Sequence, residues 1–345
     1  MTRQFTSSPA KRARVPLLIG LAGPSGSGKT YSALRLATGI KRATPGDIYV
    51  IDTEAGRALH YADEFKFHHV PFAAPFGCFD YLEAIRYCVE RGASTIVIDS
   101  ASHLHEGEGG MLDQHEQAID RATKGSTDWA ARDAASWRCW KQPKADMNRF
   151  VQCLLQLNTN MVFCFRAKDR VKPGMQDGKK ALISQGTMAI ADDSLIYEMT
   201  VQPLLEAGSR GVPNWNPTER GAALQTKLPG FFADILQRKG QPLDENMGEL
   251  MGRWAAGDSP SSTPKAQHGA NPGAVTLDGG KTEGVPRVGD PIAVMPWLDE
   301  ITAATDTAAV MAIQNRFKAV AASFSEAHRE QMRQAIRERN RQLQA

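Results

Sequence analysis

The run Gly23-Pro24-Ser25-Gly26-Ser27-Gly28-Lys29-Thr30 has the G-x-x-x-x-G-K-[ST] spacing of a polyphosphate cradle. Its glycines let backbone N–H groups turn inward on phosphate oxygens, Lys29 reaches the β- and γ-phosphates, and Thr30 offers its hydroxyl to Mg²⁺. With Tyr31 opening the next segment, residues 23–31 form the candidate nucleotide-binding set, with ATP and Mg²⁺ as the expected ligands. Two acids complete the chemistry. Asp99 ends the apolar run Ile96-Val97-Ile98, which places a carboxylate at the carboxyl edge of a sheet, where it holds Mg²⁺ through water. Glu54 ends the run Tyr49-Val50-Ile51-Asp52-Thr53-Glu54. A carboxylate there orients an attacking water and takes its proton, or else is an exposed turn acid ahead of Ala55-Gly56. Ser100 also has two readings, contact with the γ-phosphate or a cap on the following turn.

These residues need strand ends to carry them. Leu17-Leu18-Ile19-Gly20-Leu21 is a short apolar run ahead of the glycine loop, and Tyr31–Ala37 has helical spacing after it. The alternation continues, with strands expected at 16–22, 47–52, 67–71, 95–99, 161–166 and 195–202, and helices at 29–41, 79–91, 111–123 and 143–158. Strands separated by helices imply right-handed βαβ units: an α/β fold with a mainly parallel, doubly wound sheet. In such a sheet the strand ending at Glu54 is expected near the first strand, with Glu54 facing the γ-phosphate.

Composition sets the frame. The chain has 345 residues, 42% of them hydrophobic, and a formal net charge of +3, which permits polyanion binding without arguing for it. No apolar run approaches the roughly 20 residues of a membrane-spanning helix, and the basic start has no apolar stretch behind it, so a cytoplasmic protein is expected. Five cysteines form no C-x-x-C pair and read as reduced thiols. Residues 1–14 read as a disordered basic tail and 15–254 as the nucleotide domain. Residues 255–291 are rich in Gly, Pro, Ser and Thr and read as a flexible linker, leaving 292–345 as a small helical module. In that module Ile313, Phe317 and Val320 share a face, and Glu326, Glu330 and Glu338 each precede an arginine by three residues. A docking module for a partner is the expected role.

Taken together, Gly23–Thr30, the strand ending Ile51-Asp52-Thr53-Glu54 and the strand ending Ile98-Asp99-Ser100 resemble the core of RecA-type P-loop ATPases over roughly 15–205. The segment Asp99-Ser100-Ala101-Ser102-His103 through Gly110 is similar to bacteriophage AAA/RecA-like ATPases, a group that includes minimal single-strand-annealing recombinases. Where that group carries an acidic-aromatic pair, this chain has Leu104-His105. The resemblance implies that Glu54 is the catalytic base and that Arg166, ending the strand Met161–Phe165, senses or stabilises the γ-phosphate together with Ser100. It also implies that the basic, glycine-containing segment 168–180, a mobile loop with Lys168, Arg170, Lys172, Lys179 and Lys180, contacts a nucleic-acid backbone. The implied activity is Mg²⁺-dependent ATP hydrolysis coupled to single-stranded DNA binding in phage recombination or replication, by a ring or filament in the host cytoplasm. Partners would be single-stranded DNA, further copies of the chain, and a single-strand-binding or replication protein at the C-terminal helices.

Other readings remain open in the residues. A nucleotide-gated loader of a protein partner would use the same loop, as would a small-molecule kinase, which also needs an arginine-bearing lid and an acceptor pocket. Trp129, Trp137 and Trp140 lie among Arg132, Arg138, Lys141 and Lys144, a mixture that stacks bases and contacts phosphates. Trp137 and Trp140 are equally spaced for packing into a core. His103, His105, Glu106, Glu108 and His115 match no standard zinc spacing. Arg210 and Arg220 are the candidates for a finger supplied in trans.

Overall fold

Alternation of inward-facing residues builds a sheet covered on both sides. In the computed structural model, residues 7, 9, 13–176, 179–238, 240–257, 301, 304, 306–320 and 326–344 are described. The strands are β1 (Leu18–Gly23), β2 (Asp47–Asp52), β3 (His68–Pro71), β4 (Ala93–Asp99), β5 (Asn160–Gln176) and β6 (Lys179–Ala189). The sheet order is β1-β5-β4-β2-β3, every one of these pairings is parallel, and β6 pairs antiparallel with the outer part of β5. This is the α/β architecture of a P-loop NTPase. Along β4, Ile96 and Ile98 pack on one face with α2 (Cys78–Glu90) and α6 (Lys141–Leu154). Val97 between them packs on the other face with α1 (Lys29–Ala43) and α10 (Glu245–Ala256), as the period of two requires.

The helix behind the glycine loop is held from outside. Ala33, Leu34, Ala37 and Ile40 of α1 form its buried stripe. Its outer side meets α10 backbone to backbone: a Cβ on Gly39 would fall onto the Glu245 carbonyl, and one on Gly248 onto the Leu36 carbonyl. Arg35 closes the contact with a two-pronged pair to Glu245, Nε to Oε1 at 2.8 Å and Nη2 to Oε2 at 2.7 Å.

Several expectations need correcting. The strand ending at Glu54 is not beside β1; β5 and β4 lie between them. The expected strand at 195–202 begins instead as the short helix α7 (Asp193–Tyr197), because Asp192 caps it by accepting from Ser194 N at 3.0 Å. Only then does the chain turn extended, with Val201 bridging Ile19 and Leu204 bridging Ala22. Residues 168–176 are strand rather than loop, pairing with β6 in a two-stranded arm that sets Val171 opposite Ser184 and Met175 opposite Lys180; residues 177 and 178 lie outside the described residues. Between β4 and β5 lie α3 (His103–Glu106), α4 (Met111–Thr123), α5 (Trp129–Cys139) and α6, of which α3 and α5 match no expected helix. The short helices α8 (Arg220–Gln225) and α9 (Gly230–Leu236) lead to α10, which ends at Gly257, φ +101°.

A separate compact unit contains α11 (Thr307–Val320) and α12 (Glu326–Gln344). Val310, Ile313 and Phe317 of α11 share a core with Met332 and Ile336 of α12, and Arg339 donates to the Ala304 carbonyl at 2.8 Å. Most of the expected basic tail and nearly all of the expected linker lie outside the described residues, as does the Val320 side chain. Among the described residues no helix is long and apolar enough to cross a membrane.

Candidate active site

The register of the parallel strands brings the chemistry to one edge. Gly23 stands opposite Arg166, Asp52 opposite Asp99, and Asp99 opposite Cys164. A cleft of ≈ 470 Å³ opens over that edge, lined among others by Lys29, Thr30, Glu54, Asp99 and Arg166.

The loop itself is built on left-handed backbone, with φ +75° at Gly26 and +94° at Gly28. A Cβ at Gly28 would lie 2.7 Å from the Gly211 nitrogen. That nitrogen donates to the Ser27 carbonyl at 2.9 Å, and the Ser209 hydroxyl donates to the same oxygen at 3.2 Å, so 209–211 brace the loop from behind. Arg210, considered as a finger for a neighbouring copy, thus lies in the segment bracing its own chain's loop. Pro24 and Ser25 turn the loop, and Ser32 N donating to the Gly28 carbonyl at 2.9 Å opens α1, whose N-terminal dipole points at the cradle. Lys29 Nζ donates to the Pro24 carbonyl at 2.7 Å. Burial pulls its pKa below the ordinary lysine value, while the carboxylates of Asp99 and Glu54 oppose that shift.

Thr30 Oγ1 donates to Asp99 Oδ2 at 2.5 Å. A hydroxyl and a carboxylate side by side below an anion cradle are the hard oxygen donors Mg²⁺ takes, so the residues fit that ion. Burial pushes the Asp99 carboxyl up to about 6, with the Thr30 hydrogen bond opposing and the Glu54 charge reinforcing the shift.

Glu54 is largely buried and held by two cations. Arg166 Nε and Nη2 both donate to its Oε1, at 3.0 and 2.5 Å, and Arg57 Nη1 lies 3.5 Å from its Oε2. Asp52 aims the turn, accepting from Glu54 N at 2.7 Å, Ala58 N at 3.0 Å and the His69 ring at 3.0 Å. Thr53 stitches β2 to β4: its hydroxyl accepts from Ser100 N at 2.8 Å and donates to Ser100 O at 3.1 Å, with His103 Nδ1 at 2.8 Å.

Two of the sequence candidates face elsewhere. The Ser100 hydroxyl is fully buried, donating to the Cys164 carbonyl at 3.2 Å and accepting from Ser102 N at 3.2 Å, so it takes the capping role rather than a place in the cleft. Tyr31 points away from the phosphates, hydrogen-bonded to Glu64 and packed edge-on to Phe65. On the arm, Lys168 pairs with Glu106 at 3.8 Å and Arg170 reaches the Ala189 carbonyl at 3.4 Å, whereas Lys172 and Lys180 are exposed; the side chain of Lys179 lies outside the described residues. Sequence reasoning missed Arg57 and Tyr61, which line the cleft beside Glu54. The signal for Arg57 was present, a cation three residues after the acid across Ala55-Gly56. Among the described residues no cluster of His, Cys, Asp and Glu could hold a metal by itself.

Comparison with known proteins agrees with this geometry. No curated protein matches the chain. The AAA domain family matches residues 16–197, from the approach to β1 through the end of α7 and more than half of the chain. That span holds the glycine loop, Glu54, Asp99 and Arg166, and the chain belongs to the AAA domain family, of P-loop ATPase type.

Proposed function

We propose that the protein is a Mg²⁺-dependent ATPase of RecA type that couples ATP binding and hydrolysis to single-stranded DNA. The observation that carries this reading is the convergence on one cleft of Lys29 and Thr30 from the start of α1, Glu54 and Asp99 from the ends of β2 and β4, and Arg166 from within β5. Lys29 and the loop amides hold the phosphates. Thr30 and Asp99 would hold Mg²⁺, which would supply positive charge to the phosphate site. Glu54 orients a water for in-line attack and accepts its proton. Arg166, where β5 leaves its pairing with β1, donates to charge building on the transferred phosphoryl group. In the present arrangement its guanidinium is committed to Glu54 Oε1. A γ-phosphate competing for Arg166 frees that oxygen for the water, which ties base activation to the presence of a triphosphate.

The DNA-facing part of the proposal rests on the exposed cations Lys172 and Lys180 of the β5–β6 arm and on the resemblance to phage annealing recombinases. Assembly as a ring or filament in the cytoplasm belongs to the same reading. A second reading, a nucleotide-gated loader that recruits a protein partner, draws on the separate α11–α12 unit with its own core. Phosphate release measured with and without single-stranded DNA separates them. Stimulation by DNA in a chain truncated after residue 257 supports the first reading. Turnover indifferent to DNA in the full chain refutes it.

A further inference from the structure

We propose that the outward face of α5 and the start of α6 is a base-stacking platform for single-stranded nucleic acid, with Trp137 as its central ring. This deepens the DNA-coupled reading above and rests on it.

The helix is anchored by its opposite side. Ala135 and Cys139 pack on Ile119 of α4, and Arg132 reaches back to Glu116 and, at 2.5 Å, to Asp120. Arg132 is therefore spent on holding α5 to α4. Trp140 also turns inward, its ring stacked on His115 with centroids 3.8 Å apart. The two other tryptophans do the reverse: Trp129 is 76% exposed and Trp137 89%. Indoles are seldom left this bare, because each withholds a large apolar face from burial.

The surroundings of Trp137 say what covers it. Trp140 keeps helical backbone, φ −68° and ψ −18°, so the helical phase of α5 runs on into α6. Lys141 and Lys144, four and seven residues after Trp137, fall on its face, and Arg138 adjoins it. All three are exposed and make no ion pair among the described residues, and Asp133 is the acid on that side. Ala134 and Ala130, three and seven residues before Trp137, are small residues on the same face. An aromatic face beside unpaired cations, without a pattern of hydrogen-bonding side chains, suits stacked bases with a neighbouring phosphate backbone and little sequence preference. A protein partner of ordinary charge would leave these cations unmatched.

The test is titration of fluorescently labelled oligo(dT) with the full chain in MgATP at several salt concentrations. Trp137→Ala weakens binding by about tenfold, and Trp137→Phe retains most of it. Lys141→Ala lowers the slope of log affinity against log salt by about 0.7. ATP turnover without DNA stays at the wild-type rate in all three, since none of these residues lines the cleft. If wild type binds and Trp137→Ala binds equally well, the platform is wrong while the DNA-coupled reading stands. If wild type does not bind oligo(dT), both fall. A change of oligomeric state in Trp137→Ala, with DNA affinity per protomer unaltered, overturns the platform in favour of a contact between copies.

Discussion

Replacing Asp99 by asparagine is expected to stabilise the fold while destroying the metal site. Asp99 is 8% exposed, and burial raises its pKa from 3.8 to about 6 against the help of Thr30 and Lys29. At roughly 1.4 kcal/mol per tenfold change in proton affinity, ionising it costs the folded state about 3 kcal/mol at pH 8. The sign follows from proton counting. Between 3.8 and about 6 the native state holds a proton that the unfolded state has released, so stability falls as pH rises through that window and is flat above it. Asparagine keeps a carbonyl for the Thr30 hydroxyl and carries no charge. In EDTA at pH 8, Asp99→Asn should therefore melt higher than wild type by about 6–12 °C for a domain of this size. At pH 5 about half of that advantage should vanish, because wild-type Asp99 is then mostly protonated. MgATP should stabilise the wild type and leave the variant nearly unmoved. A variant less stable than wild type at pH 8, or a difference independent of pH, refutes the reasoning.

Two further predictions concern the brace on α1. Glu245→Gln breaks the two-pronged pair with Arg35 and should cost about 1–2 kcal/mol in urea unfolding at neutral pH. The Arg35 hydrogen bond holds the Glu245 pKa below its ordinary value, so this contribution is present above the ordinary carboxylate range and lost as pH falls through the depressed value. Wild type and variant should converge in acid; a constant gap contradicts the assignment. Gly248→Ala drives a methyl group onto the Leu36 carbonyl and should destabilise by about 1–3 kcal/mol, with weakened ATP binding because α1 carries Lys29 and Thr30. Unchanged stability would mean that the helices can separate freely.

The place of the glycine loop, Asp99 and Glu54 at the cleft was legible in the sequence because each is a local pattern: a strand-sized apolar run followed by the residues that line the cleft. What decides their company is non-local. The insertion of β5 between β1 and β4, which delivers Arg166 to the cleft, needs β5 to pair with β1, a segment more than a hundred residues earlier, and no periodicity reports it. Ser100 illustrates the same limit, since its direction depends on the Cys164 carbonyl across the sheet. The outer part of β5 carries Pro173 and Gly174, which read as loop residues; their strand geometry comes from pairing with Leu182 and Ala181. Asp52 and Glu54 looked alike as acids at a strand end. The structure separates them, giving Asp52 to the backbone of the turn and leaving Glu54 at the cleft.

The central claim is that Glu54 activates water at this cradle, and it is tested most directly by phosphate release at saturating MgATP from wild type and Glu54→Gln. Glutamine preserves the shape and removes the base, so the variant should bind ATP normally and turn over about 10²–10⁴-fold more slowly. Turnover within a few-fold of wild type would remove Glu54 from the mechanism and contradict the account.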